Sequence, residues 1–397
     1  STSLKEVYMD LPFQGGPSIM ALENMLTHTQ SLQSLSLSCG SVRRLEAIAV
    51  AAASSGLKKN TTLQELTLVF PEGAMAISPI STSLYDHPLL RRLCLRGYVG
   101  DLTGLETVLL SDTSKITELD IDWSYGMTGL APVLQALGRR PTLTKLGLRG
   151  YPLGRDEARL LGVVLRNTPS LHSLDLRACA LGSAGLAELA PALYRNTSIK
   201  VLDISENSLN DMESAQVLRD ILRNNKTITT LDLSGNRFGE TTGAVDCIAD
   251  GLGSNSTLLK IDLSNCALGD GGVSTLAQTL GSRNTTLQKL TIDSNSITPI
   301  SVGVLLEAME QSSHITDLVL GRDLFGNEGV GLLARALKRN ALPNLTRLFL
   351  RCCGIGNDGF IALVSALEQN TSLLQLDLRS DHDVNERAFL ALARSLP

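Results

Sequence analysis

The sequence predicts an α/β solenoid. Two observations carry that expectation. An apolar pattern LxxLxL, with Leu, Ile, Val or Met at each L, recurs along the whole chain. The composition is 43% hydrophobic but only 4% aromatic, which suits a core laid down in thin, uniform aliphatic layers. A chain of 397 residues also exceeds what a single globular core usually reaches, whereas a solenoid extends its core one repeat at a time.

The pattern begins weakly at Leu4, Val7 and Met9. It returns from Leu32, Leu63, Leu90, Ile116 and Leu143, and is most regular from Leu171, Ile199, Ile228, Leu258 and Leu287. The last copies start at Ile315, Leu345 and Leu373. This makes fourteen units of about 28 residues, the period of a leucine-rich repeat, and assigns residues 1–397 to one repeat domain. The fourth and sixth positions share one face of a short strand, so the third, fifth and seventh face the other way. An Asn or Cys follows at the ninth position, as Cys179, Asn207, Asn236, Cys266, Asn295 and Cys353. Its side chain is suited to backbone groups in the turn that no strand pairing satisfies. An apolar residue comes back two places later, as Leu181, Leu209, Phe238, Leu268, Ile297, Phe325 and Ile355. A helical spacing such as Leu186, Leu189, Ala190 and Leu193 then ends near a recurring Asn, as at Asn196, Asn225, Asn255, Asn284 and Asn370. Asn there is expected in the left-handed conformation common just past a helix end. Strand and helix in alternation give a horseshoe, with a parallel sheet on the concave face and helices on the convex face.

Segments such as Asn225 to Glu240 (NKTITTLDLSGNRFGE) and Asn255 to Gly272 (NSTLLKIDLSNCALGDGG) resemble the ribonuclease-inhibitor-like subfamily of leucine-rich repeats. The subfamily includes ribonuclease inhibitors and the repeat regions of NOD-like receptors. The resemblance implies a surface presented to a protein partner, and leaves the partner open. It points first to the repeat region of an intracellular receptor or effector. The alternatives are an inhibitor or GTPase regulator that docks on another protein, and the substrate-targeting repeats of a longer multidomain enzyme. Both ends look cut, because the first unit starts at once and the last stops inside its expected helix; a longer natural protein, or a partner covering an end, is the expectation.

Net charge is −5, from 35 basic and 40 acidic residues, which argues against nucleic acid as a partner. No stretch approaches the ~20 apolar residues of a membrane span. Seven cysteines in no framework spacing suggest reduced thiols in the cytoplasm. No GxxxxGK, HExxH or GxSxG motif occurs, the five histidines are scattered, and neither enzymatic activity nor a cofactor is expected. Seven N-x-S/T sequons occur, at Asn60, Asn196, Asn225, Asn255, Asn284, Asn344 and Asn370. Six of them fall three residues before a strand's first apolar position, so the repeat itself generates them.

Two features mark candidate binding residues. Aspartates recur at the fifth position (Asp120, Asp175, Asp203, Asp232, Asp262, Asp377), with arginines at the seventh (Arg149, Arg177, Arg351, Arg379). In the third to sixth repeats the ninth-position series is replaced by bulky groups. Tyr98 and Tyr151 occupy that position, Trp123 and Tyr125 flank it, and Phe70 precedes Pro71. Together with Arg96, Arg149, Asp120 and Asp122 these aromatics predict a partner-binding edge, since Trp, Tyr and Arg dominate interface hot spots. The competing expectation is that they plug irregular turns.

Overall fold

The computed structural model describes residues 4–11, 16–39, 53–122, 128–312, 314–379, 385, 386, 388, 390 and 393. The chain divides into two compact units, one of Ser1–Ala180 with Pro191–Ile199, the other of Leu181–Ala190 with Lys200–Pro397.

In the first unit the strands are β1 (Glu6–Leu11), β2 (Ser34–Cys39), β3 (Glu65–Ala76), β4 (Arg92–Asp101), β5 (Glu118–Ile121), β6 (Lys145–Gly147) and β7 (Ser173–Asp175). Each pairs in parallel with the next. The second unit repeats the arrangement with β8 (Val201–Asp203), β9 (Thr230–Asp232), β10 (Lys260–Asp262), β11 (Lys289–Thr291), β12 (Asp317–Val319), β13 (Arg347–Phe349) and β14 (Gln375–Asp377). Register places the fourth positions side by side. Leu35, Leu66, Leu93, Leu119, Leu146 and Leu174 form one buried row, and Leu202, Leu231, Ile261, Leu290, Leu318 and Leu348 another. Among the described residues a helix follows most of these strands, and its apolar stripe closes the core, as Ala215, Leu218, Ile221 and Leu222 do in the helix Met212–Asn224.

The turn after each regular strand explains the ninth position. Its neighbours on both sides sit in the left-handed region, in several turns without being glycine: Ala178 and Ala180 around Cys179, Glu206 and Ser208 around Asn207, Ser294 and Ser296 around Asn295. Such residues cost on the order of 1 kcal/mol each, and the ninth side chain offsets that cost through its hydrogen bonds. Asn236 Oδ1 accepts the N–H groups of Asn207 (2.9 Å) and Leu209 (3.1 Å), while Nδ2 donates to the carbonyls of Ile204 (3.0 Å) and Leu233 (2.9 Å). Asn295 repeats the pattern two repeats on, holding the N–H groups of Cys266 and Leu268 and the carbonyls of Leu263 and Ile292. A cysteine at this position has only its thiol to offer, and Cys179, Cys266 and Cys353 donate it to Leu148, Leu233 and Leu320. Burial pushes the Cys266 thiol up to about 12. The apolar residue two places on is buried in every unit named above.

The helix-end asparagines depart from expectation. Asn225 (φ −74°, ψ 131°) and Asn255 (φ −89°, ψ 135°) are extended rather than left-handed. What selects Asn is again the side chain. Asn255 Oδ1 accepts the N–H groups of Thr257 and Leu258, and Nδ2 donates 2.7 Å to the Leu222 carbonyl at the end of the preceding helix. Asn60, Asn196 and Asn284 make the same three bonds, to Leu26, Leu165 and Leu252 on the carbonyl side, and all are buried. These sequons spend on the fold the nitrogen that a glycan would use.

Where the ninth-position series fails, the strands run on. β3 and β4 extend through the places where the turn stands elsewhere, pairing Phe70 with Gly97 and shifting register before Met75.

Replacing Asn236 by Ala strands two buried N–H groups and two carbonyls, and is expected to lower the unfolding free energy by about 2–4 kcal/mol in urea titrations. A loss within ~0.5 kcal/mol would show that the series is incidental to stability.

Candidate functional site

The sheet face turned away from the helices carries the third, fifth and seventh side chains, and in the first unit these converge on one arginine. Register aligns Cys94, Asp120, Gly147 and Asp175 at the fifth position of successive strands. Arg149, two residues after Gly147, donates from Nε to Asp175 Oδ2 at 2.6 Å. Its Nη1 lies 3.7 Å from Asp120 Oδ1 and 3.6 Å from Asp122 Oδ1. Arg96 approaches the other Asp122 oxygen at 3.6 Å, and Arg92 lies 3.8 Å from Glu118. Gly147 makes the convergence possible, because a Cβ there would run into the Asp120 carboxylate.

The cluster is electrostatically uneven. Asp120 is only 3% exposed, and Asp120 Oδ1 and Asp122 Oδ1 are both sealed from solvent with no hydrogen-bond partner among the described residues. Burial pushes the Asp122 carboxyl up, with Arg149 opposing and Asp120 reinforcing. Burial also works against the Arg149 charge, but its hydrogen bond to Asp175 and the fields of Asp120, Asp175 and Asp122 outweigh it and hold the guanidinium above its ordinary range. Beside Asp120, burial raises the Cys94 thiol, helped by the Asp120 charge.

Four of the predicted site residues are thus brought together: Arg96, Asp120, Asp122 and Arg149. Tyr151 is half-buried at the end of the same strand segment, its phenol raised by burial and by Glu157. Tyr98 lies within β4 but its side chain is outside the described residues, and Trp123 and Tyr125 lie outside them altogether.

In the second unit Asp203, Asp232 and Asp262 are direct neighbours in register. Each turns one oxygen back to the N–H two residues ahead, at Ser205 (3.0 Å), Ser234 (2.9 Å) and Ser264 (2.9 Å). Half of each carboxylate therefore caps its own turn. Beyond them the fifth position becomes Thr291, Val319 and Phe349, around a depression of about 220 Å³ that Asp262, Lys289, Asp293, Gly321 and Arg351 complete. Arg351 and Arg379 both bind Asp377, at 2.6 Å and 2.7 Å. No cluster of aromatic or unusual charged residues marks this depression in the sequence; its signal is the run of uncharged residues at the fifth position. No group of three or more His, Cys, Asp or Glu among the described residues is placed to hold a metal ion. No described helix is long and apolar enough to cross a membrane.

The family model described as leucine-rich repeat matches residues 168–190, 224–241, 254–277 and 341–364. The ribonuclease inhibitor of Sus scrofa is 28% identical, over 80% of this chain and 82% of its own length. The chain is a leucine-rich-repeat protein, ribonuclease-inhibitor-like in its repeats. NACHT, LRR and PYD domains-containing protein 14 of Mus musculus is 27% identical over 83% of the repeat protein, which spans only 36% of that relative. Among solved structures, the leucine-rich repeat-containing protein LegL7 from Legionella pneumophila shares the fold, with a TM-score of 0.51 at 20% identity over 73% of this chain and 93% of its own.

Removing the arginine at the centre isolates three carboxylates. Arg149→Ala is expected to cost about 1–3 kcal/mol at pH 7, with allowance for its partial exposure, and less at pH 4, where Asp122, its carboxyl raised by burial, is no longer left as an unpaired charge. Urea denaturation at the two pH values measures both; an equal loss at each would mean that the charge network contributes little.

Proposed function

We propose that the chain is a protein-recognition scaffold without catalytic activity of its own, and that it binds a protein partner through the sheet face around Arg149. The observation that carries this reading is the Arg149 cluster. It holds three carboxylates around one guanidinium, and two buried carboxylate oxygens within it lack a hydrogen-bond partner. The guanidinium groups of Arg96 and Arg149 remain part-exposed above these acids, so the preorganised patch offers a partner charge complementarity without first having to be ordered. Arg96, Asp120, Asp122, Arg149 and Tyr151 form the described part of the interface, and Tyr98, Trp123 and Tyr125 supply its aromatic edge.

The similarity to a ribonuclease inhibitor over most of both chains supports a docking role. It also favours, as a second reading, one-to-one binding over another protein's active site. The similarity to NACHT, LRR and PYD domains-containing proteins supports the reading as the repeat region of a receptor. No disulfide joins Cys94, Cys179, Cys247, Cys266, Cys352 or Cys353, which fits a reducing compartment such as the cytoplasm.

Affinity capture from lysate with the wild-type chain, beside Tyr98→Ala/Trp123→Ala and Arg96→Glu variants, tests the assignment. Loss of one shared partner in both variants, with unchanged thermal melts, is the expected result. A partner retained by both would move the interface off this face.

A further inference from the structure

In the twelfth repeat the ninth position is held by an acid, Asp323, between Asn295 of the preceding repeat and Cys353 of the following one. It is 2% exposed. Its Oδ1 does what the asparagine oxygens do, accepting the N–H groups of Asn295 (2.9 Å) and Ile297 (3.0 Å). The difference lies in the second atom. Asn236 and Asn295 each donate from Nδ2 to the sixth-position carbonyls of the preceding repeat and their own. For Asp323 the corresponding carbonyls, by register, are those of Ile292 and Leu320. A carboxylate has no proton to give them. Asp323 Oδ2 is sealed from solvent and has no hydrogen-bond partner among the described residues.

The charged and titratable groups around it favour the neutral acid. Asp293 faces it from the preceding repeat and repels its charge. The cations of that region, Arg322, Arg351 and Lys289, act on Asp293. From the following repeat Cys353 presents a thiol that donates to the Leu320 carbonyl.

We propose that Asp323 is a proton switch built into the turn series: as a neutral acid it donates its one proton from Oδ2 to one of the neighbouring carbonyls and locks the eleventh and twelfth repeats together, and its ionisation loosens them. Burial, the largest influence, pushes the carboxyl up to about 6 against the three backbone N–H groups of Ile297, Asn295 and Ser296 that favour its charge. The folded value thus lies above the unfolded one, near 3.9. The stability it contributes is full below that unfolded value and is lost as pH rises through the folded one.

Amide hydrogen exchange across residues 288–355 of the full chain, corrected for intrinsic rates, tests the switch on wild type and Asp323→Asn at pH 5 and 7.5. Wild-type protection is expected to fall about tenfold over that interval relative to the variant, which keeps the donor at both pH values. Equal pH dependence in the two proteins would overturn the proposal. Should the variant not fold, a carboxyl ¹³C titration of wild-type Asp323 decides instead: a midpoint near 6 supports the switch and one below 4.5 refutes it.

Discussion

Each regular repeat depends on one side chain bonded into a turn that would otherwise be strained. The chain leaves the strand through two left-handed residues, and the residue between them is held by hydrogen bonds to its own turn and to the turn before it. The bonds run between repeats as well as within them, so each turn is stabilised by its neighbour. Nearest-neighbour coupling of this kind is what lets a linear core be cooperative. The helix-end asparagines do the same work at the other end of each helix, tying an amide pair to the carbonyl of the preceding helix.

Much of this was legible in the sequence, because the periodicity is dictated by packing. The LxxLxL copies mark strands whose register is fixed by buried leucines, and the returning apolar residue marks the bend back into the core. Where the sequence misled, one residue type served two physical ends. Asn at a helix end suggested a left-handed cap, yet the backbone there is extended and the amide is the reason for the choice. Aspartates at the fifth position looked like a surface charge array, but half of each carboxylate belongs to the backbone. Asp323 escaped notice because an acid was not expected where Asn and Cys alternate. The site was legible in part: pairing of Arg149 with Asp120 and Asp122 follows from register, whereas the role of Gly147 needed the geometry of a missing side chain.

The two units treat the outward side chains of their strands differently. Around Arg149 the charges are crowded together by a glycine and partly withdrawn from water. Between β10 and β13 the charges give way to Thr291, Val319 and Phe349 and the surface dips. Both departures occur without disturbing the buried rows beneath, since alternate side chains answer to opposite sides of the sheet.

That independence is unequal among the three outward positions, and it sets how such a surface can be diversified. The fifth position is tethered wherever its aspartate caps the turn, so a change there touches the backbone. The third and seventh carry Lys260, Lys289, Asp293 and Gly321 in neighbouring repeats with the strand geometry intact. A library varied at the third and seventh positions, sparing Asp293 whose carboxylate accepts the Gly321 N–H, would therefore sample new surfaces while the ninth-position side chains and the fifth-position aspartates stay in place.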